Sequence, residues 1–237
     1  MVEIKGLEKF APKDFSGYIS ATIFLGGCNL RCPFCHNVEL VLRPESLPTF
    51  PLDYFRDFMV SRRGWLEGIC ITGGEPLLHE DVDVLLRLIK EEGLLTKLDT
   101  NGSFPGRLSA LIKQGLIDFV AMDIKAPLDK YPRATGGRCD PDRIKESISL
   151  LRSSEVSCLF RTTVVPGLIG SDDIETIGRM LKGAPRFQLQ AFSPGKTLDV
   201  GFREIQPPGP VEMEALAEIA RPFFEEVKIE GKTENGA

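Results

Sequence analysis

Hydrophobic and polar positions along the chain switch repeatedly between two periods. The run from Tyr18 is rich in β-branched and aromatic residues and predicts a strand over 18–25. Leu52, Phe55, Phe58 and Met59 share one face of a predicted helix over 52–61. A short apolar strand at 68–72 precedes a helix at 81–92, with Val84, Leu85, Leu88 and Ile89 turned inward and Gly93 as its stop. Further strands are predicted at 95–100, 118–124, 156–165 and 186–191. Between them, Pro105 opens a helix that Gly115 ends. Asp140-Pro141 caps another through Ile144, Ile148 and Leu151, and Ser171 caps a third carrying Ile174, Ile177 and Leu181. A Pro- and Gly-rich loop fills 193–210, a helix follows over 211–224, and 227–229 reads as a last short strand.

Six strands alternating with helices imply parallel strands joined by right-handed crossovers. Six units fall short of an eight-fold barrel, which leaves an open, partial (β/α)6 barrel or a doubly wound sheet. No linker or shift in composition divides the chain, so one domain is expected over 1–230, with a polar tail at 231–237.

Composition narrows the classes. Of the 237 residues, 29 are basic and 34 acidic, for a net charge of −5. Apolar residues make up 42% and charged residues 27%, which excludes wholesale disorder. No run reaches the roughly 18 apolar residues of a membrane span, and no secretory leader is visible, so a cytoplasmic protein is expected. Without a dense basic stretch, nucleic acid is not an expected partner. Of six cysteines, Cys28, Cys32 and Cys35 fall within eight residues. In a reducing compartment such a cluster points to metal or redox chemistry. Cys70 and Cys158 lie in apolar runs and read as small buried hydrophobes, while Cys139 has no evident role.

Polar residues gather just past the strands: Gly26-Gly27-Cys28, Gly73-Gly74-Glu75, Asp99-Thr100-Asn101, Asp123-Ile124-Lys125 and Gln190-Ala191-Phe192. In a parallel α/β architecture these strand ends form one face, where sites are built. Turns are polar in any protein. That does not account for Lys125 and Arg161 at strand ends, nor for three cysteines in the first turn.

The segment CNLRCPFCHN spaces its cysteines C-x3-C-x2-C. Zinc wants four ligands, and His36 adjoins Cys35 too closely for easy joint chelation. In a 4Fe–4S cluster, three thiolates leave one iron open to a substrate or cofactor.

Together with Gly73-Gly74-Glu75, this motif resembles the radical S-adenosylmethionine (SAM) superfamily. The stretches GGCNLRCPFCHN, TGGEPLL, KLDTNGS, FVAMDIKAPLDKY, FRTTVVPGL and LQAFSPGKTLD resemble the glycyl-radical-enzyme activases. They most resemble the longer form that serves anaerobic ribonucleoside-triphosphate reductase. The resemblance implies the partial (β/α)6 barrel, a 4Fe–4S cluster on Cys28, Cys32 and Cys35, and SAM on the open iron. It implies reductive cleavage of SAM to a 5′-deoxyadenosyl radical, which takes a hydrogen from a glycine of the partner. A flavodoxin- or ferredoxin-type protein is the implied electron donor.

Residue by residue, the resemblance sets Phe34 and the backbone of His36 at the adenine. It sets Gly73 and Gly74 against the methionyl group, with Glu75 accepting from its ammonium. Lys125 would pair with the SAM carboxylate, beside Asp123. Asp99 and Thr100 match a monovalent-cation site that Asp123 completes. Arg161 lies in an apolar strand and needs a partner, either the SAM carboxylate or the glycyl loop. Phe192 is assigned to the ribose or adenine. Two same-class alternatives are an activase of a pyruvate formate-lyase-like enzyme and a radical SAM enzyme acting on a small molecule. A non-catalytic iron–sulfur electron carrier is the different-class alternative, but it has no use for Gly73-Gly74-Glu75 or Lys125.

Overall fold

The computed structural model describes residues 2–231, so the tail expected over 231–237 lies almost wholly outside the described residues. Its frame is one sheet: β1 (Ile4–Glu8), β2 (Ser20–Leu25), β3 (Gly68–Gly73), β4 (Leu95–Thr100), β5 (Phe119–Asp123), β6 (Ser157–Val164), β7 (Arg186–Ala191) and β8 (Glu226–Glu230). The strands lie in sequence order; β1 runs antiparallel to β2, and β2 to β8 are all parallel. This order decides between the two candidate architectures. A doubly wound sheet reverses direction and carries helices on both faces. Successive right-handed crossovers that never reverse put every helix on the same face and curl the sheet into a barrel. No ladder joins β8 to β1 among the described residues, so the barrel stays open.

Alternation along the strands sorts the two faces. Ile23, Leu25, Ile69, Ile71, Leu98, Val120, Met122, Phe160, Phe187 and Leu189 are fully buried and point outward, under the helices. Their neighbours in sequence are polar and face the barrel interior: Cys70, Lys97, Asp99, Asp123, Arg161, Gln188 and Gln190. The helical cover comprises α1 (Val38–Leu42), α2 (Leu52–Ser61), α3 (Val82–Glu91), α4 (Pro105–Lys113), α5 (Tyr131–Thr135), α6 (Pro141–Ser153), α7 (Ser171–Leu181) and α8 (Pro210–Ala220). Helix α6 begins as its sequence predicts: Asp140 accepts from the Asp142 N–H at 3.0 Å, Pro141 takes the first position, and Ile144, Ile148 and Leu151 are buried.

Several expectations are corrected. The antiparallel edge β1 goes unpredicted because Gly6 interrupts its alternation and a register shift falls between Ile4 and Gly6. Tyr18 and Ile19 are exposed ahead of β2 rather than part of it. On α3, Val84 faces solvent and Leu86 is buried in its stead. Gly170, not Ser171, caps α7, and Asp173 Oδ2 accepts from its N–H at 3.0 Å. The last strand predicted at 227–229 is real and extends the parallel sheet as β8.

Phe160 lies on β6 with no solvent exposure, against the helical layer. Phe160→Ala is expected to cost about 3–5 kcal/mol in urea unfolding.

Candidate active site

The first two strand-end turns are locked together through their backbones. Gly74 N–H donates to Leu25 O, and Glu75 N–H to Gly27 O, both at 2.9 Å. A Cβ on Gly74 would stand 1.8 Å from the Gly27 carbonyl oxygen, and one on Gly73 only 2.4 Å from that of Leu25. Gly73 also has φ +118°, a left-handed conformation open to glycine. Both glycines line the cavity described below, but their demand for space comes from this backbone docking. Asn37 Nδ2 caps the arrangement by donating to Gly73 O at 2.7 Å.

Glu75 departs from its expected place. Its side chain is fully buried behind the cavity wall. Oε1 accepts from Leu77 N–H at 3.0 Å and from Thr100 Oγ1 at 2.8 Å, while Oε2 accepts from Asn101 N–H at 2.7 Å. Burial pushes its pKa up to about 7, against the pull of those three donors. The carboxylate thus fastens the turn after β3 to the end of β4, and Thr100 spends its hydroxyl on the same task.

The cysteine turn closes over a cavity of about 250 Å3. Cys28, Cys32 and Cys35 all line it as free thiols. Arg31 Nη1 braces the turn by donating to Cys28 O and Leu30 O, both at 2.7 Å. The loop after β7 supports it from the far side: Leu198 N–H donates to Cys35 O at 3.1 Å and Asp199 N–H to Pro33 O at 2.9 Å. Burial raises all three thiols, Cys28 to about 11 and Cys32 to about 12, with the Lys125 ammonium pulling the other way.

Opposite the thiols, the inner wall carries a chain of paired charges. Register sets Asp123 of β5 beside Arg161 of β6. Arg161 Nε donates to Asp123 Oδ1 and Nη1 to Asp99 Oδ2, each at 2.8 Å. Lys125 Nζ donates to Asp123 Oδ2 at 2.9 Å, and Lys97 pairs with Asp99 Oδ1. Burial opposes ionisation of Asp123, but Arg161 and then Lys125 outweigh it and hold the pKa down to about 2. Asp99 is lowered in the same way by Arg161 and Lys97, and the two aspartates in turn raise Arg161. Lys97 was not among the expected residues; its signal is a charge alternating in step with Asp99 on the inward face. Cys70 is buried as expected. Its thiol, however, faces this wall, 3.5 Å from Lys97 Nζ, rather than the apolar layer.

Of the remaining candidates, Phe34 is buried at the cavity wall and His36 sits exposed at its rim. Phe192 is not on the wall. It is 1% exposed, one residue past the end of β7, and belongs to the apolar core with its ring 6.1 Å from that of His36. Gln190 and Thr163 line the cavity there instead.

A cavity walled by three free thiols and a lysine, at the carboxyl ends of an open parallel barrel, can be set against known proteins. The sequence profile of the Radical SAM superfamily matches residues 22–180. The chain belongs to this superfamily. It is 34% identical over 238 residues to a Methanocaldococcus jannaschii protein provisionally named a glycyl-radical enzyme activating enzyme, across 98% of this chain and 97% of that one. This similarity puts it with the glycyl-radical enzyme activases, radical-generating enzymes that act on glycyl-radical enzymes. The pyruvate formate-lyase-activating enzyme of Clostridium pasteurianum is 28% identical over 86% of each chain. The pyruvate formate-lyase 1-activating enzyme of Escherichia coli K12 is 33% identical over 63% of each. Among solved structures, SuiB of Streptococcus suis superposes with a TM-score of 0.67 at 18% identity, over 90% of this chain and 48% of that one. The chain thus spans about half of SuiB, and at this identity the likeness shows the fold alone.

Radical SAM proteins use a 4Fe–4S cluster and SAM, and the donors present fit that pair. Three unpaired thiols share one cavity wall, and no fourth cysteine lines it among the described residues. Nor do any three described His, Cys, Asp or Glu side chains form a group that could hold a lone metal ion. A tetrahedral zinc would gather its thiolates to roughly 4 Å of one another, whereas a cubane spreads them over separate irons. Among the described residues, no helix is long and apolar enough to cross a membrane.

Arg161→Met removes the guanidinium that faces both carboxylates and is expected to cost about 3 kcal/mol in urea unfolding at pH 7. In the native protein the Asp123 pairing stabilises fully above about pH 4 and is lost as pH falls toward 2. Without Arg161 this carboxyl titrates nearer its ordinary value, so acid unfolding followed by circular dichroism is expected to shift to higher pH.

Proposed function

We propose that the chain is a glycyl-radical-enzyme activase whose target is anaerobic ribonucleoside-triphosphate reductase, with a flavodoxin- or ferredoxin-type protein as electron donor in an anaerobic cytoplasm. The observation that carries the chemistry is the meeting of Cys28, Cys32 and Cys35 with Asp123 and Lys125 on the wall of one cavity. When bound, the 4Fe–4S cluster supplies the electron that splits SAM into methionine and a 5′-deoxyadenosyl radical.

The protein's part is ligation, orientation and electrostatics. The three thiols lose their protons to hold the cluster. Lys125, kept charged by Asp123, receives the SAM carboxylate. Arg161 fixes the Asp123 carboxylate on its other oxygen and keeps Lys125 directed at the cavity. Phe34 and the His36 backbone offer an apolar and a polar edge to the adenine, and Gln190 and Thr163, rather than Phe192, stand at the ribose. Glu75 acts from behind the wall: it holds the Gly73-Gly74 strip in place for the methionyl group rather than reaching it. A monovalent cation at Asp99 and Asp123 would share their oxygens with Lys97, Arg161 and Lys125, each oxygen having acceptor capacity beyond its one partner.

A pyruvate formate-lyase-like target is the second reading, favoured by the Clostridium pasteurianum and Escherichia coli relatives. Mixing the reduced, SAM-loaded protein with each candidate enzyme separates the two. The reductase is expected to acquire the doublet of a glycyl radical in its paramagnetic resonance spectrum. A doublet on pyruvate formate-lyase alone moves the assignment to the second reading, and none on either removes both.

Anaerobic reconstitution is expected to yield a brown protein with about four irons per chain that releases 5′-deoxyadenosine from SAM under reduction. Cys32→Ala is expected to abolish both; cleavage at the native rate would refute the ligand assignment. Lys125→Ala is expected to keep its iron but bind SAM at least tenfold more weakly by calorimetry. Unchanged affinity would remove Lys125 from the SAM site.

A further inference from the structure

We infer that Asn101 positions Cys28 and donates a hydrogen bond to its sulfur, and so sets how readily the cluster is reduced; the inference rests on the ligand assignment above. Asn101 stands immediately after β4, 6% exposed, on the cavity wall. Its backbone N–H is tied to Glu75 Oε2, and its side-chain Oδ1 accepts from Ser103 N–H at 2.9 Å. The Ser103 bond settles which end of the amide is oxygen, since a flipped amide would set Nδ2 against that N–H. Nδ2 is therefore turned toward the cysteine loop. It donates to Asn29 Oδ1 at 3.0 Å, and its second hydrogen is left for Cys28 Sγ at 3.9 Å.

The same sulfur accepts the Leu30 N–H at 3.4 Å from within its own loop. Asn101 differs in coming from a separate strand, so it couples the ligand loop to the Glu75 anchor. Hydrogen bonds to cluster sulfurs favour the reduced, more negative state and raise the reduction potential. A metal-bound thiolate would be a stronger acceptor for this amide than the thiol is.

The test uses the reconstituted full chain, with reduction followed by paramagnetic resonance. Asn101→Ala is expected to keep its iron and to shift the reduction equilibrium away from the reduced state by severalfold, a tenfold change being 59 mV for one electron. Asn29→Ala loosens the same loop but leaves Nδ2 facing the sulfur, and is expected to stay within twofold of the native value. A native protein carrying 15N only in its asparagine side-chain amides is expected to show a nitrogen coupled to the reduced cluster. The inference is overturned if the loaded native protein lacks that coupling, or if Asn101→Ala reduces as readily as the native protein. Native protein that takes up no iron overturns the ligand assignment instead.

Discussion

Three cations and two carboxylates, largely enclosed on neighbouring strands, govern this structure. Isolated charges inside a barrel would be prohibitively costly, and they persist here because each faces an opposite charge at bonding distance. Pairing depends on register: Asp123 lies beside Arg161 because β5 and β6 align them, and Asp99 reaches the same guanidinium from the next strand. A slip of one residue would turn the chain of charges into the apolar layer beneath the helices. The ionic ladder therefore makes the inner wall polar, and a polar wall is what keeps the interior available to a charged cofactor.

The scaffold was legible where chemistry is local. Residues such as Ile69, Val120, Phe160 and Phe187 repeat every second position and announce strands, and Asp140-Pro141 announces a helix start. What escaped depends on partners distant in sequence. β1 has little pattern of its own and exists by pairing with β2. Lys97 looks like a solvated strand residue until β3 and β5 are set beside it. Val84 and Leu86 could exchange faces on the same helix, and only the layer beneath decides.

Within the site, residue type was more legible than orientation. The cysteine spacing, Asp123 and Lys125 all converge on one cavity, and their grouping follows from the rule that strand ends share a face. Glu75 and Phe192 lie where the chain order puts them but turn their side chains away. Glu75 does so because Leu77 in its own turn and Thr100 and Asn101 at the end of β4 all donate to its carboxylate, and Phe192 because it lies past the end of β7, where its ring packs into the apolar core. Spacing alone contains neither fact.

The support that the cysteine turn draws from Leu198 and Asp199 has a consequence for biosynthesis. The three thiols leave the ribosome early, whereas the segment that clamps their backbone emerges only after most of the chain has been made. The cysteine turn therefore gains two of its backbone donors, at Cys35 O and Pro33 O, only once the chain is nearly complete.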